Sequence, residues 1–307
     1  MASPLKFNVL REMEERYGRT HKLAGSQSLY DVGDGALRIY FRYSAVHFGT
    51  RAFFGLRAED LRQLEGHPSV ICLLWDGQER PLYLPFSEYE EVFHAIQPAS
   101  DGQYKVQLYF TAQATELYLP RSGRFNVDGY FGWHVVEELV DSSRIQRVPS
   151  LSHSQVQALL GAIGSLKLFD VWVPMTDRNR LDFSIGSPVS CCDELPQGLK
   201  SVSSVLPEID VIWIERGSAR LRALFEVEHS TPIYSGLLRF NDIHLVAPSL
   251  QATFAIVAND ERRATFIQQL SRPTFKASGL SDLCTFMRYE NVFSWYQRAR
   301  AAGPGLT

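Results

Sequence analysis

The sequence predicts an α/β protein of two domains. A mixed α+β unit spans residues 1–147, and a core over 148–307 runs helix, strand, strand, strand, helix, strand. Three observations predict it. A chain of 307 residues exceeds one small core, since domains commonly take about 100–200 residues. Apolar residues make up 45% and charged residues 21%, the profile of a folded chain and not of a disordered or low-complexity one. The apolar period also switches along the chain between two and three-to-four, as strands and helices require.

In the first unit an amphipathic helix is predicted over 7–17 and strands over 36–43, 69–75, 81–85, 104–110 and 115–119, with a helix around 57–65. The run Leu37-Arg38-Ile39-Tyr40-Phe41-Arg42-Tyr43 alternates apolar with Arg38, Tyr40 and Arg42, which fits a strand with one buried face. Arg38, Arg42 and Arg51 are thereby expected on an exposed surface. The block 120–132 (PRSGRFNVDGYFG) reads as a loop because Gly and polar residues dominate it.

The polar segment 141–154, with Pro149 between serines, marks the boundary. Ser152 or Ser154 can cap a helix through Leu166, whose Val156, Leu159, Leu160 and Ile163 keep helical spacing. A strand over 169–173 stops at Pro174. After a loop of Gly and Pro, residues 209–214 and 221–229 form a hairpin about Arg216-Gly217-Ser218. Thr231 and Pro232 open a helix to about residue 243; a strand follows at 253–258, a helix at 261–270, and helical periodicity at 280–300.

Several function classes are disfavoured. A net charge of −3 denies the chain a bulk affinity for polyanions, so any nucleic-acid contact must come from local basic stripes. No apolar run approaches the about 20 residues that cross a bilayer, and the charged first thirty residues lack a signal core, so a cytoplasmic protein without membrane contact is expected. Cys72, Cys191, Cys192 and Cys284 form no CxxC pair and are expected as reduced thiols. Neither a zinc-like His/Cys grouping nor a GxGxxG or Walker motif is present.

Three carboxylates stand out. Asp210 opens an apolar strand, and Glu226 and Glu228 punctuate Leu224-Phe225-Glu226-Val227-Glu228 near the end of the next. Residues two apart on a strand share a face, so the two glutamates point together, and the hairpin brings Asp210 beside them. Like charges side by side require a proton or a cation, and carboxylate oxygens suit hard ions such as Mg2+. Such a site can clamp a phosphodiester and acidify an attacking water. The rival reading is an exposed hairpin edge with ion pairs to Arg220 or Arg222.

The element order, with Leu206-Pro207-Glu208-Ile209-Asp210 on one strand and Phe225-Glu226-Val227-Glu228 on the next, resembles the restriction-endonuclease-like core of the PD-(D/E)xK nuclease superfamily, in an E-x-E version. The resemblance covers roughly residues 153–260. It implies Asp210 and Glu226 as metal ligands, the Val227 main-chain carbonyl as a third, and Asp210, Glu226 and Glu228 as the catalytic set with Mg2+. Glu228 occupies the slot where the superfamily usually has a lysine; it can act as general base or further ligand but brings no positive charge. Arg239 falls on the helix expected behind the site, near phosphate. Gln155 and Gln157 fall on the first helix, where a further polar residue often lies near the metal, and Asp177, Arg178 and Arg180 are candidates for the substrate backbone.

The implied function is a restriction-type endonuclease cutting double-stranded DNA, with the first unit as recognition domain and a homodimer supplying two centres. Arg38, Tyr40, Arg42, Arg51 and Arg57 are the candidate DNA-binding residues there, since guanidinium groups pair with phosphate or guanine and aromatic rings stack on bases. Arg121 and Arg124 in the Gly-rich block, and Arg178 and Arg239 in the second unit, complete the set. The alternative is a nuclease-like DNA-binding or regulatory module that has lost catalysis, with Glu228 marking the loss. His153 and His244 read as structural or surface residues.

Overall fold

The computed structural model describes residues 4–23, 25–33, 35–47, 50–145, 150–196, 202, 204–218, 220–229 and 232–302. Pro149 and Thr231, read above as boundary and cap, lie outside them. The chain divides into two compact units, Met1–Arg147 and Val148–Thr307. Among the described residues the strands form three sheets, two in the first unit and one in the second.

The first unit runs α1 Pro4–Tyr17, β1 Thr20–Lys22, β2 Leu29–Val32, β3 Leu37–Ser44, β4 Val46–His47, β5 Arg51–Arg57, α2 Ala58–Arg62, β6 Ser69–Trp75 and β7 Leu82–Pro85. It continues with α3 Phe86–Ala95, β8 Gln103–Phe110, β9 Thr115–Leu119, β10 Gly123–Asn126 and α4 His134–Ile145. One sheet has the order β1-β2-β3-β6-β7 and the other β10-β9-β8-β5-β4. The two share an apolar core that includes Tyr40, Phe54, Ile71, Leu84, Val106 and Leu117, all buried.

Two expectations are corrected here. Strand β3 is buried on both faces over most of its length, so Arg38 is 3% exposed and not on an open surface. Its guanidinium is neutralised by Asp31 on β2, with contacts of 2.7 and 3.0 Å, and donates to the Gln63 carbonyl at 2.6 Å. The block 120–132 is not all loop: Arg121 takes a positive φ of 72°, and Gly123–Asn126 pairs back onto β9.

The second unit runs α5 His153–Leu166, β11 Phe169–Trp172, α6 Met175–Arg178, β12 Val211–Glu215, β13 Leu221–Glu228, α7 Ile233–Val246, β14 Thr253–Ala258, α8 Arg263–Leu270, α9 Pro273–Ser278, β15 Cys284–Arg288 and α10 Tyr289–Ala302. Ser152 caps α5 and closes a capping box with Gln155, satisfying backbone groups that the first turn leaves open. Gly217, at φ 70°, makes the turn between β12 and β13 in a conformation that other residues adopt at a cost.

The sheet order is β11-β12-β13-β14-β15, antiparallel as far as β13 and parallel beyond it. Helices α5 and α10 pack on one face through Leu160, Ile163, Val292 and Trp295. Helices α7, α8 and α9 cover the other through Leu237, Phe240, Phe266 and Phe275. Strand β13 is thus central and buried along its whole length. Strand β15 replaces the helix expected from residue 280. Leu280, Leu283, Phe286 and Met287 keep helical spacing in sequence, yet pairing with β14 extends 284–288, and the helix begins only at Tyr289.

Candidate functional site

The candidate site lies where β12 begins, β13 ends and α7 begins. Val211 pairs with Phe225, which sets Asp210 opposite Glu226 one step further along the antiparallel ladder. Glu226 is 0% exposed and Glu228 2%. The alternative of a solvated hairpin edge is therefore excluded: neither glutamate faces water, and Arg222 is itself buried.

Each carboxylate is held by different neighbours. Asp210 Oδ2 accepts the Val227 main-chain N–H at 2.7 Å, tying the start of β12 to the end of β13. Its Oδ1 accepts Gln157 Nε2 at 3.2 Å, and His153 Nε2 stands 3.6 Å from Oδ2. Glu226 is gripped by Arg239 of α7, with Nε donating to Oε1 at 2.7 Å and a terminal nitrogen to Oε2 at 2.6 Å. This is the planar two-point pairing that guanidinium geometry favours. The main-chain carbonyl of Glu228 accepts Arg262 at 2.9 Å.

The electrostatics follow from this geometry. Burial pushes the Glu226 carboxyl up to about 8; the Arg239 hydrogen bonds oppose that shift, and the charges of Asp210 and Glu228 add to it. Arg239 is held above the ordinary arginine range, first by its bond to Glu226. His153 is raised by its contact with Asp210 against the opposing effect of burial. The three acids thus sense one another, and Arg239 partly offsets the charge at Glu226.

The room for the acids comes from a glycine. A Cβ on Gly236 of α7 would lie 2.9 Å from Glu228 Oε1, 3.1 Å from Glu226 Cβ and 3.1 Å from Ile256 Cδ1. The glutamate tips are buried and have little space to retreat. Gly236→Ala is therefore expected to destabilise the protein by about 1–3 kcal/mol through overpacking, despite the better helix propensity of alanine. Denaturant unfolding of the two proteins measures it.

Sequence reasoning and structure part at several residues. Gln157, 1% exposed, is the polar helix residue that reaches Asp210, while Gln155 serves the cap and Ser184. His153, read as structural or surface, stands beside Asp210; its position as first residue of α5 was the available signal. Arg262 carries no motif, and its nearness follows only from the parallel pairing of β13 with β14. His229 stacks its ring on Tyr289 of α10, with centroids 6.2 Å apart.

The candidate DNA-binding residues are scattered. Arg178 is held within its own unit by the carbonyls of Val173 and Cys192 and by Asp193. Arg239 is committed to Glu226, with 28% of its side chain exposed. In the first unit Tyr40 is buried and its hydroxyl accepts the Arg57 N–H at 3.0 Å, while Arg42 is half-buried near the Tyr40 ring. Arg51, Arg57, Arg121 and Arg124 are exposed. Arg57 pairs with Glu59, and Arg124 with Glu116 at 2.8 Å.

The chemistry of the donors fits a hard divalent cation. The register brings the carboxylates of Asp210 and Glu226 together, and Mg2+ is commonly held by one or two carboxylates with water and phosphate completing its shell. A closed cage is not what the side chains form. Among the described residues no group of three or more His, Cys, Asp or Glu is arranged to hold a metal, and Arg239 covers both Glu226 oxygens. Cysteines take no part: Cys72, Cys191, Cys192 and Cys284 are free thiols. Among the described residues no helix is long and apolar enough to cross a membrane.

Comparison with known proteins supplies the class. Residues 134–302, from the first residue of α4 to the last of α10, match the family described as the type II restriction enzyme NmeDI C-terminal domain. That is more than half of the chain, and the protein belongs to this family. It is 33% identical over 135 residues to the type II restriction enzyme NmeDI of Neisseria meningitidis serogroup C, an alignment covering 40% of this chain and 37% of that enzyme. The chain thus spans little more than a third of the curated relative it matches. No solved structure matches it.

Proposed function

We propose that this protein is a Mg2+-dependent restriction-type endonuclease that hydrolyses phosphodiester bonds in double-stranded DNA. Its second unit is read as a PD-(D/E)xK-type catalytic domain in an E-x-E version, and its first unit as the part that selects the target. The observation that carries the reading is the register that sets Asp210 opposite a fully buried Glu226, with Glu228 on the same face, in a chain of restriction-enzyme kinship.

Asp210, Glu226 and the Val227 carbonyl would hold the ion. When bound, Mg2+ supplies positive charge to the phosphate and lowers the pKa of a water. The chain's own residues divide the remaining work. Gln157 and the Val227 N–H fix the Asp210 carboxylate in one orientation. Glu228, two residues beyond Glu226 on the same face, is available to take the proton of the attacking water. Arg239, bound to Glu226 and 28% exposed, would bring the positive charge that a lysine at position 228 otherwise supplies. Cutting both strands at one site requires two such centres, so we expect a homodimer working in the cytoplasm.

A second reading, a nuclease-like DNA-binding or regulatory module without catalysis, is favoured by one observation: Arg239 already neutralises Glu226. Incubating the purified protein with assorted methylated and unmethylated duplex DNA, with Mg2+ or a chelator, separates the two. Discrete Mg2+-dependent fragments support the endonuclease. Uncut DNA in every condition supports the module.

A further inference from the structure

The candidate DNA-binding residues of the first unit fall on β3 and β5 and in the 120–132 block; of those on β3, Arg38 and Tyr40 are buried, while Arg51 and Arg57 of β5 are exposed. One open surface among the described residues of the first unit is the outer face of the sheet β10-β9-β8-β5-β4. Its inner face is filled by Ala52, Phe54, Leu56, Val106, Leu108 and Leu117. The alternate residues of the same strands point outward, and the register places them side by side: Arg51 opposite Tyr109, Phe53 opposite Gln107, Gln107 opposite Tyr118, and Tyr118 opposite Arg124.

This face has an unusual composition. Phe53 is 43% exposed in mid-sheet. Tyr109 and Tyr118 are half-buried, with ring centroids 6.2 Å apart. The Arg124 guanidinium lies 4.3 Å from the Tyr109 centroid, and that of Arg51 lies 5.7 Å from Phe53. Gly55 leaves space for the Gln103 amide to lie across the strand. Among the described outward residues of β5, β8, β9 and β10, Arg51, Arg57, Lys105 and Arg124 outnumber the carboxylate Glu116, while Glu59 and Asp101 lie just beyond the strand ends. The ion pairs of Arg57, Lys105 and Arg124 are with exposed or partly exposed acids, and such pairs exchange for phosphate at little cost.

We propose that this sheet face binds unpaired nucleotides of the DNA substrate, with bases stacked on Phe53, Tyr109 and Tyr118 and phosphates held by Arg51, Lys105 and Arg124. Rings and guanidinium groups interleaved on an open sheet match the alternation of base and phosphate along a strand. The inference rests on the reading of the substrate as DNA and adds which part of it the first unit holds.

The test uses the full chain in anisotropy titrations, without divalent ions, on two oligonucleotide duplexes. One is fully paired and the other carries a short unpaired bubble. The bubble duplex is expected to bind more tightly, and Phe53→Ala to weaken it by about tenfold. Phe53→Leu, which keeps apolar bulk without an aromatic face, is expected to weaken it similarly, and Arg51→Ala to reduce the salt dependence of binding. Equal affinity of all variants for both duplexes overturns the proposal. If those variants still cut DNA like the wild type, the endonuclease reading stands while the sheet face falls. If the wild type binds the bubble through Phe53 but never cuts, the face stands and the endonuclease reading falls.

Discussion

Asp210→Asn is expected to abolish DNA cleavage, by about 10³-fold or more, while the protein stays folded and retains DNA binding. The amide is nearly isosteric with the carboxylate, so its oxygen can still accept the Val227 N–H that ties β12 to β13. What it loses is the negative charge opposite Glu226, and with it the electrostatic preorganisation that such sites rely on. Single-turnover cleavage and anisotropy on the same duplex separate the two effects. Wild-type cutting by Asp210→Asn would remove this residue from the chemistry.

Arg239→Ala is expected to have the largest effect on stability, and one that grows with pH. Glu226 has its folded-state pKa raised from 4.5 to about 8. Its contribution to stability is thus present below about 4.5 and is lost as pH rises through about 8. Removing Arg239 takes away the group that opposes the upward shift, so the folded pKa moves further up. Above it, an unpaired carboxylate is left in a fully buried position. Breaking such a pair costs about 3 kcal/mol at pH 9 and clearly less at pH 6. Thermal midpoints at both pH values measure this, and Glu226→Gln in the same chain should remove the pH dependence. A deficit independent of pH would mean that Arg239 acts by packing alone.

The legibility of this chain in sequence varied with the locality of the interactions. Strands such as β6, β9 and β14 were readable because their apolar runs end at turn residues a few positions away. The cap at Ser152 was readable for the same reason: its partner Gln155 is three residues on. The hairpin of β12 and β13 brings Asp210 near Glu226, but a register shift between Trp213 and Ile214, and not the glycine turn alone, sets the two opposite each other.

Where the outcome depended on distant partners, the sequence was silent or misleading. Alternation in β3 suggested an exposed arginine face, but flanking by β2 and β6 buried it and drew Arg38 to Asp31. The helical spacing of 280–287 was overridden by pairing with β14. The two-point grip of Arg239 on Glu226 depends on how α7 turns against the sheet, and Gly236 permits that approach without belonging to any motif.

Calorimetric titration of the wild type with Mn2+, beside Asp210→Asn and Glu226→Gln, tests whether these two carboxylates hold a divalent ion. Saturable binding by the wild type and its loss in both variants are expected. Binding that survives both substitutions, or no binding by the wild type in the presence of DNA, would contradict that role.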